Sequence, residues 1–140
     1  MAEKYYKLIC SNKRARHDYH LLETFEAGIA LKGTEVKSLR AGKGSIKESY
    51  ASFDNSELYL VDMHIPPYDH GNVMNHDPYR PRKLLLHAQE MRRLIGKVVE
   101  RGLTLVPTRM YFKGDNVKVE IALAQGKKLH DKREDLKRDE

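Results

Sequence analysis

Between residues 19 and 31 the odd positions are Tyr19, Leu21, Glu23, Phe25, Ala27, Ile29 and Leu31, apolar at all but one. A period of two predicts a long half-buried strand, and it places Glu26 on the opposite, exposed face. Gly33-Thr34 ends that strand and offers Thr34 as a helix N-cap, Glu35 suits the positive end of the helix dipole, and Gly42 supplies the stop. Val36 and Leu39 then face the core. Lys37 and Arg40, also three apart, share a solvent face with Lys43 just beyond.

Residues 49 to 53 and 57 to 63 predict two short strands joined by the turn Asp54-Asn55-Ser56. Four of the five prolines (Pro66, Pro67, Pro78, Pro81) fall within residues 64 to 83, which predicts a connecting loop. Leu84, Ala88, Met91, Ile95 and Val98, with Leu94 alongside, step at helical spacing toward a stop at Gly102, and Arg92, Arg93, Lys97 and Arg101 occupy the other face. Segments 103 to 113 and 117 to 124 predict a closing hairpin over Gly114-Asp115-Asn116, with Pro107 at a bulge or edge.

About five strands and two helices in a mainly β chain favour a small antiparallel barrel of the oligonucleotide-binding type, with two or three helices. Residues 1 to 18, carrying Lys13, Arg14, Arg16 and His17 with little apolar periodicity, read as a basic arm before the fold. Residues 1 to 126 thus form the barrel domain with its arm. Residues 127 to 140 contain only Leu129 and Leu136 as apolar residues, and are expected to be a basic tail, disordered when free. No internal repeat is evident.

At 140 residues the chain suits one domain, which argues against an active-site cleft between two. Twenty-six Lys and Arg against twenty Asp and Glu give a net charge of +6, which points to a polyanionic partner. The charge is concentrated: residues 80 to 101 hold seven basic groups (Arg80, Arg82, Lys83, Arg92, Arg93, Lys97, Arg101) against two acidic ones, and residues 32 to 47 hold five against Glu35. Tyr19, Tyr50, Tyr59, Tyr68, Tyr79 and Tyr111 are available for base stacking. The N-terminal residues lack the apolar core of a signal peptide, and no apolar run reaches the roughly 18 to 20 residues that span a bilayer, so a cytoplasmic protein without membrane partners is expected. The one cysteine, Cys10, closes no intrachain disulfide and fits a reducing compartment.

Enzymatic chemistry finds little support. His64, His70 and His76 recur every six residues, a spacing that fits neither a helix face nor a zinc pair, so no metal or other cofactor is expected. Gly42-Lys43-Gly44-Ser45 lacks the residues a phosphate-binding nucleotide loop needs around its lysine. The neighbours His17-Asp18, Asp69-His70, His76-Asp77 and His130-Asp131 point apart on an extended chain, and no nucleophile accompanies them.

Ordered motifs along most of the chain carry a more specific signal. They are Asn12-Lys13-Arg14-Ala15-Arg16-His17-Asp18-Tyr19, Phe25-Glu26-Ala27-Gly28, Glu35-Val36-Lys37-Ser38-Leu39-Arg40-Ala41-Gly42-Lys43, Arg82-Lys83-Leu84-Leu85-Leu86, and Gly126-Lys127-Lys128 followed by His130-Asp131-Lys132-Arg133. From about residue 12 to residue 138 this pattern resembles the small protein B family, bacterial proteins that bind transfer-messenger RNA. The resemblance implies a non-enzymatic barrel that grips the tRNA-like domain of that RNA and brings it to stalled ribosomes. Alanyl-tRNA synthetase and elongation factor Tu would be involved through the RNA. It further implies RNA contacts by Asn12, Lys13, Arg14, Arg16, His17, Glu26, Lys37, Arg40, Lys43 and Lys118. Lys127, Lys128, His130, Asp131, Lys132 and Arg133 would belong to a tail entering the decoding centre and messenger channel, among small-subunit rRNA. Gln125 stands where the family often has a cation. Two rivals remain on the residues alone: a general barrel-type RNA-binding or initiation-factor-like protein, and a small metal-assisted nuclease using the histidine loop.

Overall fold

The computed structural model describes residues 6 to 68 and 75 to 127. Its elements are β1 (Tyr6–Ser11), α1 (Arg14–Asp18), β2 (Tyr19–Ile29), α2 (Gly33–Arg40), β3 (Tyr50–Asp54), β4 (Glu57–Val61), β5 (Arg82–Leu85), α3 (Ala88–Arg101), β6 (Thr104–Lys113) and β7 (Asn116–Gly126). The strands run in the order β1-β6-β3-β4-β5-β2-β7, and a further pairing of β7 with β6 closes six of them into an antiparallel barrel. Strand β6 has room for three neighbours because it is long: Leu105 pairs with Ala51 of β3, whereas residues 109 to 113 pair with β1, and β7 runs along the other side. The free edge of β1 lies outside the closed ring.

Phe25, Leu58, Leu60, Ile121 and Leu123 fill the interior, and Leu39 of α2 and Leu94 of α3 enter the same cluster. A second, smaller cluster lies on the opposite face of β7, where Ala122 and Ala124 pack with Val106 against Ala15 of α1. Alanines there leave space for a helix to lie on the strand, and they explain why four consecutive β7 residues, Ile121 to Ala124, are all buried.

Two bulges link these clusters. Leu21 pairs with Ala124 but Glu23 pairs with Leu123, so Leu22 is an extra residue, and the side chains before and after it serve different faces. Tyr19 and Leu21 therefore pack under α1, while Phe25, Ala27 and Ile29 point into the barrel. The alternation expected from the sequence is present, but it spans two faces. A second shift between Pro107 and Arg109 does the same to β6, which agrees with the bulge expected near Pro107.

Three sequence expectations need correction. The basic arm is ordered structure from Tyr6 onward: Tyr6–Ser11 is a strand on β6 and Arg14–Asp18 a helix. The count is seven strands and three helices among the described residues. Leu84 belongs to β5, and α3 begins at Ala88, where the Glu90 carboxylate accepts the His87 N–H at 3.3 Å. No described helix is long and apolar enough to cross a membrane.

Candidate nucleic-acid interface

Beyond its bulge, β2 turns Phe25 and Ala27 inward and Glu26 outward. The Glu26 carboxylate accepts the Tyr111 hydroxyl at 2.5 Å on one oxygen and the Lys113 ammonium at 3.0 Å on the other. The Tyr111 hydrogen bond, helped by Lys113, holds the carboxyl below its ordinary value despite partial burial. The same contact works in reverse on the partners. Burial and the Glu26 carboxylate push the Tyr111 hydroxyl up, and Glu26 raises Lys113. Lys118 lies beside this group, opposite Gly28 on β2 and Tyr111 on β6. The Arg109 guanidinium lies 5.3 Å from the Tyr111 ring centroid and pairs with Glu120 at 2.5 Å.

A surface cleft of about 440 Å³ separates this face from α1, lined in part by Asn12, Arg16, Thr24, Arg109 and Glu120. Asn12 is only 9% exposed. Its backbone N–H donates to the Thr108 carbonyl at 2.7 Å and its Nδ2 to the Pro107 carbonyl at 3.2 Å, while its buried Oδ1 has no hydrogen-bond partner. Lys13, Arg14 and Arg16 are exposed. His17 and Asp18 meet at 3.1 Å (Nδ1 to Oδ1), contrary to the extended-chain expectation, because α1 turns them together.

On α2, Lys37 and Arg40 are exposed as expected, and each charge lies over a ring: Lys37 Nζ is 5.7 Å from the Tyr68 centroid and Arg40 5.0 Å from that of Phe112. Gly42 has φ +79° and ends the helix as expected; Lys43 follows, exposed, with its N–H on the Ser38 carbonyl at 3.1 Å. Thr34 is not the N-cap. Lys32 holds that position, and its N–H donates to the Glu35 carboxylate at 2.7 Å.

Five of the seven cations expected to make residues 80 to 101 a basic surface are engaged in ion pairs, and Arg92 and Arg101 remain exposed. Arg80 and Arg82 pair with Glu35, Lys83 with Glu57, and Arg93 and Lys97 with Glu23. Arg82 is fully buried and donates to Glu35 at 2.7 Å and to the Met63 carbonyl at 2.6 Å. Burial penalises the Glu35 charge, yet Arg80, the Lys32 N–H and Arg82 together hold it below the ordinary glutamate value; burial likewise lowers Arg82.

The histidine loop is not simply a polar surface. His76 is 4% exposed, donating from Nε2 to the Ile65 carbonyl at 2.8 Å and pairing through Nδ1 with the Thr34 hydroxyl at 2.9 Å. His64 packs on Tyr79 with ring centroids 4.7 Å apart, and His70 lies outside the described residues. Among the described residues no three His, Cys, Asp or Glu side chains converge as metal ligands. Burial pushes the Cys10 thiol up to about 11.

Lys127 is held by the body of the fold: its N–H donates to the Asp18 carbonyl at 3.0 Å and its Nζ to the Arg16 carbonyl at 2.7 Å. Lys128, His130, Asp131, Lys132 and Arg133 lie outside the described residues. Sequence reasoning missed Tyr6, Tyr111 as the partner of Glu26, and Lys113. The tyrosine at 111 was visible as a candidate aromatic, but its pairing depends on the register of β2 against the β6–β7 hairpin.

The family model described as SmpB protein matches residues 9 to 140. The SsrA-binding protein of Desulforudis audaxviator is 58% identical over 136 residues, covering 97% of this chain and 89% of that protein. The SsrA-binding protein of Syntrophobacter fumaroxidans is 60% identical over 134 residues, covering 96% of this chain and 83% of its own. A chain from a solved structure described as "tmRNA-SmpB: a journey to the center of the bacterial ribosome" is 59% identical with a TM-score of 0.70, over 86% of this chain and 85% of that one.

Proposed function

The chain belongs to the SmpB family, and from that premise we propose how its surfaces divide the work of the family's function. The protein is an RNA-binding factor and not an enzyme: it binds transfer-messenger RNA and delivers it to stalled ribosomes for trans-translation. The observation that carries our assignment of the RNA face is the ionised Glu26 carboxylate, fixed by Tyr111 and Lys113 beside Lys118. A fixed carboxylate accepts hydrogen bonds from sugar hydroxyls and base amino groups, and surrounding cations hold phosphates.

In this reading Glu26 and Lys118 on the barrel, Asn12, Lys13, Arg14, Arg16 and His17 at α1, and Lys37, Arg40 and Lys43 at α2 contact the tRNA-like domain. The exposure of the α1 and α2 cations supports it. Residues 1 to 126 act as the RNA-gripping unit, and residues 127 to 140 as the segment that enters the decoding centre, with Lys128, His130, Asp131, Lys132 and Arg133 meeting rRNA. Lys127 serves as the hinge post between the two, since it is bonded to α1. Alanyl-tRNA synthetase and elongation factor Tu engage the complex through the RNA.

A salt-series titration against the tRNA-like domain, with ordinary tRNA as competitor, tests the RNA face. Five to eight phosphate contacts give a log-log salt slope of roughly −4 to −7. The expected result is a preference for the tRNA-like domain that persists as salt rises; equal binding that vanishes with salt would reduce this face to a general basic barrel.

A further inference from the structure

Tyr6 lies on the edge strand β1, opposite Lys113 in register, and is 56% exposed. It belongs to neither buried cluster, so the fold does not need its ring for packing. The ring instead extends a line of alternating chemistry along the barrel. Arg109 lies over Tyr111, the Tyr111 and Tyr6 centroids are 5.6 Å apart at an interplanar angle of 47°, and the Lys113 Nζ is 5.5 Å from the Tyr6 centroid. The same Lys113 ammonium reaches the Glu26 carboxylate at 3.0 Å, so it bridges the exposed ring to the hydrogen-bonding group of the RNA face.

A half-exposed tyrosine ring with Lys113 against it, Arg109 beyond the neighbouring Tyr111 and a fixed carboxylate close by matches an unpaired nucleobase. The ring supplies sequence-tolerant stacking, the cations attract the attached phosphates, and the carboxylate accepts from amino or imino groups on the base edge. We propose that Tyr6, supported by Tyr111 and Lys113, forms a stacking site for one unpaired nucleobase of the bound RNA. This deepens the functional reading above and rests on it.

Tyr6→Leu keeps an apolar residue on the edge strand but removes the π-face. Affinity for the tRNA-like domain falls about five- to thirtyfold, with an unchanged salt slope because no charge is lost. Tyr6→Phe stays within about twofold of the parent, since the stacking face survives. The chain has no tryptophan, so Tyr6→Trp introduces a single reporter; on adding the RNA its emission is quenched and becomes shielded from acrylamide.

Unchanged affinity in Tyr6→Leu, or an indole whose emission and acrylamide access ignore bound RNA, overturns the stacking site. Should Tyr6→Leu fail to fold, the tryptophan variant decides alone. A parent chain that binds tRNA and the tRNA-like domain alike overturns the functional reading and this inference together, whereas a parent that prefers the tRNA-like domain, with a Tyr6→Leu variant of equal affinity for it, overturns this inference only.

Discussion

Glu35 is a carboxylate with 0% exposure, and it remains charged because donors from three segments converge on it: Arg80, Arg82 and the Lys32 N–H. Arg82 spends its other donors on the carbonyls of Met63 and Pro78, so α2, β5 and the connecting loop are locked to one another through one buried cluster. Removing one partner leaves the other charge uncompensated. Glu35→Gln should lower unfolding free energy by about 3 to 5 kcal/mol, and the double change Glu35→Gln with Arg82→Met should lose less than the sum, as denaturant titrations would show.

The pH dependence follows from the depressed Glu35 value. The cluster's contribution is complete above the unfolded glutamate value near 4.3 and is lost as pH falls through the lower folded value. Urea midpoints taken from pH 6 down to pH 3 should fall less steeply in Glu35→Gln than in the parent; an identical slope would show that other carboxylates account for the acid sensitivity.

Among the elements, α1 is the one most dependent on the barrel. Five residues do not make a stable helix alone, and its one buried side chain, Ala15, needs the floor provided by Ala122 and Ala124. Ala122→Leu should overpack that floor, costing about 1 to 3 kcal/mol. Because α1 carries Arg14 and Arg16, a measurable drop in RNA affinity should accompany the lower melting temperature.

The same region shows why some elements were legible in the sequence and others were not. Strand β2, helix α2, the β3–β4 turn and the final hairpin follow from local period and turn chemistry, and Asn55 and Ser56 indeed take positive φ. The bulge at Leu22 was hidden because one extra residue preserves the apparent alternation while exchanging faces. Strand β1 was missed because it is an edge strand with a shifted register and exposed Tyr6, Lys7 and Leu8, so no burial pattern marks it. Strand β5 was absorbed into α3 because Leu84 happens to fall in phase with Ala88 and Met91. In the candidate site, the exposure of Glu26, Lys37 and Arg40 was legible from period alone. The loss of Arg80, Arg82, Arg93 and Lys97 to internal pairs was not, since their carboxylate partners are distant in sequence.

For the whole molecule, charge in the described residues is sorted by position. Ion pairs engage Arg82 and Lys83 of β5 and Arg93 and Lys97 of α3, whereas Arg92 and Arg101 of α3, like the cations of α1 and α2, are exposed to solvent. The proposed division between barrel and tail makes opposite demands on two kinds of variant. Glu26→Ala and Lys118→Ala should weaken binding to the tRNA-like domain by about tenfold. His130→Ala and Lys132→Ala should leave that binding intact yet abolish peptide tagging in a stalled-ribosome translation assay. Equal losses of RNA affinity in both pairs would contradict the division.

Among the described strands the closing one is also the last to be synthesised. Residues of β7 pair with β2 from Tyr19 opposite Gly126 to Gly28 opposite Lys118, and with β6 from Thr104 opposite Ala124 to Lys113 opposite Asn116. A nascent chain that stops before β7 leaves two long strand edges unpaired, a template for aggregation, and never brings Lys118 beside Glu26. A fragment that stops short of β7 therefore lacks part of the proposed RNA face, whereas one that stops just after β7 keeps that face and loses only the tail.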